Sequence, residues 1–467
     1  HNDPAVGCAG RQGLGRPAGE LPRLRDDHWD SRQKGGQART ARCPRHREVC
    51  LMPSGSVSYR TLFSLPGGTF VTVSALARLP LAMSQLGTLL LVSSPQVSGR
   101  LAPGGLAAGM VALAIAIGSP LFGALTDRHG QRIVLLVQSL VGGAALIAEG
   151  LAATMGAAWP VVAAIGGLAG FFLPQIGTMA RVRWRAMSAA NPTMGAGILE
   201  TSFAWEGAID EASFALGPAA IGVLAVLAGP VPGLLVAGAM LLVLGSWFAL
   251  DPTSKLVPGH HLADDSGQLG GSRQDHHAPG PLFTAGVVAT NVGMVFMGIV
   301  FGSVQTGTTS LATQAGRPGL AGIFHALLSV GSAVAGLALP RLAHRLDLAA
   351  RWRLFAAGLA VFAAPLLLIG HLGPLVPVLI ILGMAAAPYM ITLFSVAESS
   401  ASAGRIGTVM TLLAAMNSLG YAFGTTLAGR LADWGGPTPA YGVTVGVGVA
   451  ATLLALPVAR RVAPVRA

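Results

Sequence analysis

The sequence predicts an all-α membrane protein with twelve transmembrane helices, six on either side of a central polar loop, and three observations lead there. Hydrophobic residues make up 52% of the chain and charged ones 10%, against about a quarter charged in a soluble globular domain. Apolar runs of roughly 20 residues, enough to cross about 30 Å of hydrocarbon, recur twelve times. The 64 glycines and 30 prolines would spoil soluble helices, but helices in lipid pack closely through small residues and tolerate proline.

Residues 1–51 come first and fit none of this. They are polar, rich in Gly, Arg and Asp, and hold all three cysteines, Cys8, Cys43 and Cys50. Cys43, His46 and Cys50 are spaced like zinc ligands, yet a site needs a fourth ligand and a scaffold. The segment therefore reads as a disordered tail, or as upstream sequence preceding the first methionine, Met52. The first bundle, residues 52–250, has spans at 68–93, 104–125, 133–154, 157–180, 198–228 and 231–250. Residues 251–281 form a Gly/Ser/Asp-rich central loop, whose His260, His261, His276 and His277 read as linker rather than metal ligands. The second bundle, residues 282–467, has spans at 283–307, 318–340, 354–370, 373–396, 407–429 and 441–459.

Charge orients these spans. With the N terminus inside the cell, sixteen of the twenty basic residues after Met52 fall on the inner side, Arg128, Arg132, Arg181, Arg183 and Arg185 among them. Only Arg100, Arg317 and Arg430 fall outside, and Arg78 stays within the first span. A wrong helix count would scramble that bias. The chain is expected as a multi-pass monomer in the cell inner (plasma) membrane, with both termini cytoplasmic. Its net charge of +11 then needs no nucleic-acid partner.

One loop concentrates charge between two apolar runs: "GALTDRHGQR", residues 123–132. Gly123, Leu125, Asp127, Arg128, Gly130 and Arg132 match G-x-L-a-D-r-x-G-r-[KR], and the loop resembles the signature loop of the major facilitator superfamily. A degenerate counterpart, "LPRLAHRLDLAARWRL", follows the eighth span. The resemblance implies two six-helix halves around a midplane site, with access alternating between the two sides. The loop would act as a gate. Gly123 would allow close helix approach, Gly130 a tight turn, and Asp127 would pair with an arginine or a helix N terminus across the halves. "GPAAIG", residues 217–222, partly resembles the helix-5 antiporter motif G-P-x-x-G-G through Gly217, Pro218 and Gly222; Ile221 departs from it. "RLP" (78–80), "RVRW" (181–184) and "AIDEASFALGP" (208–218) resemble a bacterial branch of mostly unassigned substrate.

Lysine occurs only at Lys34 and Lys255, so no G-x-x-x-x-G-K-[ST] phosphate loop exists, and H-E-x-x-H and G-x-S-x-G are missing too. No enzyme activity, cofactor or metal is expected, and transport must draw on an ion gradient or run downhill. Coupling points to ionisable residues inside the spans, each costing at least about 2.5 kcal/mol at a helix centre. Arg78 lies near the middle of the first span, and the fifth carries Glu200, Glu206, Asp210 and Glu211. At 100° per residue these four share one face of roughly 140°. They outnumber the single arginine, so at least one is expected to carry a proton. Glu200 falls at the cytoplasmic mouth, and Glu149 at the interface near the outer end of the third span.

The second bundle offers neutral polar groups, with Asn291, Gln305, His325, Tyr389 and Asn417 as candidate substrate-lining residues. The resulting expectation is proton-coupled efflux of a small amphipathic or apolar compound. The alternatives are proton-coupled uptake of a small polar metabolite, or a non-transporting membrane sensor or assembly factor. A chain begun at Met52 should express and insert like the full chain. Loss of folded membrane protein on that deletion, measured in isolated membranes, would show that residues 1–51 are needed.

Overall fold

The computed structural model describes residues 58–191, 195–257, 283–343, 346–402 and 406–458. The cysteines of the tail and the four histidines of the central loop lie outside these residues. After a short helix, Tyr59–Ser64, come α1 (Gly68–Leu76 and Leu79–Ser93), α2 (Leu101–His129), α3 (Gln131–Thr154), α4 (Trp159–Phe172 and Ile176–Ala189), α5 (Gly195–Ala228) and α6 (Pro230–Leu250). The second half holds α7 (Ala285–Gln314), α8 (Leu320–Ala343), α9 (Leu348–Ala363, closed by a 3₁₀ turn), α10 (Leu372–Ser400), α11 (Ile406–Gly435) and α12 (Pro437–Val458). Eleven of these carry an apolar stretch long enough to cross a membrane; the other, α11, is 30 residues long and packs against α2, α7 and α12.

Proline decides where the helices break. Pro80 has no N–H to give the Leu76 carbonyl, and the hydrogen-bond ladder of α1 is interrupted at residues 77 and 78, which keep helical dihedrals. Pro174 does the same in α4, which is interrupted over residues 173–175 and then runs on to Ala189. In α5, Pro218 leaves the Phe214 carbonyl without its intrahelical donor, and Ser329 Oγ of α8 reaches that oxygen at 3.4 Å. A break in the first half is thus satisfied by a hydroxyl from the second.

One apolar core lies in the second half, around Trp352, Tyr389 and Tyr441; the other, around Met83, Leu86, Val111, Leu146 and Val162 in the first half, also takes in Ala312, Ala321 and Tyr421 of the second. The halves meet through α2 against α11 and α5 against α8. Both contacts rest on glycine. A Cβ at Gly105 would lie 2.2 Å from the Thr425 carbonyl oxygen, and one at Gly322 would lie 2.1 Å from that of Pro218. These contacts sit at the end of the bundle away from the 123–132 loop, here termed distal. Toward the loop end, no atom lies within 4 Å of a Cβ placed at Gly123 or Gly207. The close approach expected at Gly123 is not made, because the halves are joined at their distal ends.

The distal junction repeats the loop's own pattern. "GRLADWGG" (429–436) spaces Gly429, Leu431, Asp433 and Gly436 as "GALTDRHG" spaces Gly123, Leu125, Asp127 and Gly130. Gly130 and Gly436 both turn the chain with positive φ, +81° and +80°. Asp433 accepts hydrogen bonds from the backbone N–H of Leu101 (2.8 Å) and Ala102 (3.0 Å), with Arg100 at 3.4 Å, so the end of α11 caps the start of α2.

Replacing Asp433 by Asn should weaken this junction by about 1–2 kcal/mol. In a background with the three native cysteines changed to serine, a cysteine at the buried Ala108 should then react about tenfold faster with a maleimide, reflecting more time open at the distal end. Unchanged labelling would show that the cap does not hold the halves together.

Candidate functional site

The break in α1 sets Arg78 between two helix segments, with 5% of its surface exposed. One guanidinium nitrogen, Nη2, pairs with Glu206 Oε2 and donates to Ser74 Oγ at 3.1 Å. The other, Nη1, pairs with Asp210 Oδ1 at 2.8 Å and reaches the Glu206 carbonyl at 3.3 Å. Glu206 is 1% exposed, and its second oxygen accepts from Trp184 Nε1 at 2.7 Å. Asp210 is 31% exposed, and its second oxygen accepts from Arg181 Nη2 at 2.6 Å. Two guanidiniums and two carboxylates therefore cancel. Gly177 lets α4 come this close, since a Cβ there would fall 2.6 Å from Asp210 Oδ1. Beside the cluster is a cavity of about 100 Å³ between α1, α4 and α5, lined in part by Arg78, Gln175, Thr178, Arg181, Asp210 and Ser213.

The structure brings together Arg78, Glu206 and Asp210, and separates the other two acids. Glu211 is half-buried and forms no ion pair among the described residues; Glu200 is exposed. A face of 140° is too wide for all four to meet one arginine. Arg181, expected in a cytoplasmic loop, is instead the second cation, because α4 resumes after Pro174 and carries it past the end of the apolar run. The signal for it was the three-residue spacing of Arg181 and Trp184, which puts both on one helix face toward the four-residue spacing of Glu206 and Asp210. Arg183 is not in a loop either. It is fully buried, donates to Gln131 Oε1 (2.9 Å), the Phe248 carbonyl (2.9 Å) and Thr253 Oγ1 (3.0 Å), and ties α4 to the start of α3 and the end of α6.

Asp127, Arg128 and Arg132 are exposed, and Asp127 forms no ion pair among the described residues. Gly217 packs on Ala82 of α1 and Gly222 on Gly319, just before α8, and Gly322 of α8, with Pro218 buried beside them. Glu149 is not interfacial. It is fully buried, accepts from Thr88 Oγ1 at 2.7 Å and packs on Gly166, since α1 and α4 close over this face of α3. In the second half, Tyr389 is wholly buried and its hydroxyl reaches the Gly293 carbonyl at 3.4 Å. Asn291 Oδ1, Gln305 Nε2, His325 Nδ1 and Asn417 Oδ1 are buried with no partner among the described residues.

Comparison with known proteins gives one family. The Major Facilitator Superfamily profile matches residues 68–425. No curated protein matches the sequence. Among solved structures, the nucleoside transporter NupG superposes with a TM-score of 0.62 at 13% identity, covering 84% of this chain and 97% of that one. A POT family transporter in complex with 5-aminolevulinic acid gives 0.61 at 13%, covering 86% and 96%. A bacterial homologue of the human lysosomal transporter Spinster, in an inward-facing and occupied conformation, gives 0.61 at 14%, covering 87% and 98%. At these identities the likeness is one of fold.

Burial ranks the two acids. Glu206→Gln leaves a buried guanidinium short of its nearest counter-charge and should cost about 3–5 kcal/mol. Asp210→Asn should cost less, because Asp210 is part-exposed and Arg78 keeps Glu206. Thermal unfolding of the two purified variants checks this, and the reverse order would make Asp210 the principal counter-ion.

Proposed function

We propose that this chain, which belongs to the major facilitator superfamily and is a secondary transporter, carries a small polar solute together with a proton, with Asp210 as the proton-binding carboxyl. One observation carries the reading: a single part-exposed carboxylate is shared by two guanidiniums beside a cavity at the breaks of two helices. While ionised, Asp210 ties α1, α4 and α5 together. Protonated, it gives up both ion pairs, and the three helices are free to rearrange around a bound solute. Broken helices around a site near the middle of the span are the usual architecture of such transporters.

Export of an apolar or amphipathic compound by exchange with protons is the reading that the 217–222 pattern favours. Two guanidiniums in the cavity wall favour polar cargo instead, since an apolar molecule would strip their hydration and return no hydrogen bond. With the 123–132 loop on the cytoplasmic side of the cell membrane, the distal junction faces outward and the cavity is reached from within. Closure of the loop end would bring Asp127 toward the N terminus of α11, as Asp433 meets that of α2.

The test uses proteoliposomes of the purified chain loaded with a pH-sensitive dye, to which amino acids, nucleosides, sugars and monocarboxylates are added singly. Internal acidification on solute addition is expected, falling at least tenfold in Asp210→Asn and persisting in Glu200→Gln. Alkalinisation would establish exchange instead of co-transport. A full proton signal in Asp210→Asn would remove Asp210 from the coupling site, and no response to any solute class would favour the sensor.

A further inference from the structure

Resting on the reading of Asp210 as the proton carrier, we propose that the cavity between α1, α4 and α5 binds the carboxylate group of a small organic monoanion. Two features of the cavity have the same sign. Two guanidiniums line it, and the planar fork of each matches a carboxylate. The first residues of the second segment of α4, Ile176, Gly177 and Thr178, line it as well, at a 14-residue helix's N terminus where backbone N–H groups have no intrahelical acceptor.

Charge then selects the ligand. The groups gathered on Asp210 are Arg78 from α1, Arg181 from α4, and Glu206 from its own helix, with Glu211 one residue along. With Asp210 ionised, the two arginines are matched by Glu206 and Asp210, and an incoming anion finds no vacant charge. With Asp210 protonated, one positive charge is left over in the cavity wall. A singly charged anion fills it; a dianion overfills it, and a cation meets two guanidiniums. Both oxygens of Asp210 are held by arginine, one each at 2.8 and 2.6 Å, so a ligand carboxylate would take the place that the protonated side chain gives up. Gly177 keeps that place open, because any side chain there would press on the Asp210 carboxyl. Proton and anion would thus bind together and travel in the same direction.

The experiment measures binding of acetate, butyrate, hexanoate and benzoate, and of the four corresponding amides, to the purified full chain in lipid nanodiscs, by calorimetry in acidic and alkaline buffer. At least one acid should bind in acidic buffer, its amide should not, and alkaline buffer should weaken the acid about tenfold. Asp210→Asn should bind the acid equally in both buffers. Arg181→Gln should weaken it about tenfold, with Arg181→Lys restoring part of the loss. Amides binding as well as acids, no acid binding at all, or undiminished binding in Arg181→Gln would overturn the anion site, and leave the proton reading intact if the vesicle signal still depends on Asp210. Acid binding that needs Arg181 but ignores both buffer pH and Asp210→Asn would do the opposite, keeping the site and removing Asp210 as the proton carrier.

Discussion

A guanidinium buried along a membrane-spanning helix has to be neutralised and hydrogen-bonded where it stands, and Arg78 imposes that demand on its surroundings. Pro80 opens the helix at Arg78. Glu206 and Asp210, one turn apart on α5, then answer both of its terminal nitrogens. Each acid has a spare oxygen, and α4 supplies the partners: Trp184 for Glu206, Arg181 for Asp210. The second half of α4 is long enough to do this only because the chain resumes its helix after Pro174. The first six-helix half is organised around this one cation, and of its two counter-ions Asp210 is the one left part-exposed.

The helices were legible because hydrocarbon thickness fixes how long an apolar run must be, and eleven of the twelve carry a run of that length. Arg78, Glu206 and Asp210 were legible by their cost, since charges are scarce inside such spans. Arg181 and Arg183 were not. Both follow the end of an apolar run, where arginine ordinarily marks a loop; the Arg181–Trp184 spacing hints at a shared helix face, but only packing shows that α4 continues and turns both arginines inward. Glu149 was misplaced for a related reason: its depth along α3 is written in the sequence, but which neighbours cover its face is not. Tyr389 had the residue type of a lining group and the surroundings of a core residue. Helical spacing placed the four acids of α5 on one broad face, and the two-to-two match of charges narrowed it to two.

The ends of the molecule are built alike and occupied differently. An Asp three residues before a positive-φ glycine closes both α2 and α11. At the distal end this Asp caps the neighbouring helix across the halves; at the loop end its counterpart stands exposed. The glycine contacts at Gly105 and Gly322 follow the same division. Sidedness in this fold is therefore carried by a few backbone-scale contacts rather than by different sets of side chains.

The two proline breaks also have a mechanical meaning. A continuous helix resists bending because each residue of bend strains hydrogen bonds that have no substitute in lipid. At residues 77–78 of α1 and 173–175 of α4 the helical ladder is already interrupted, so flexing there sacrifices no such bond. Each helix behaves as two rods joined at a hinge. The distal rods are clamped into the first-half core, while the loop-side rods of α1 and α4 hold Phe70 and Trp184 in a separate small cluster. The joint between the rods lies at the arginine–carboxylate cluster, so the ion pairs of Arg78 and Arg181 with α5 bridge the very place where these two helices are least held by their own backbone.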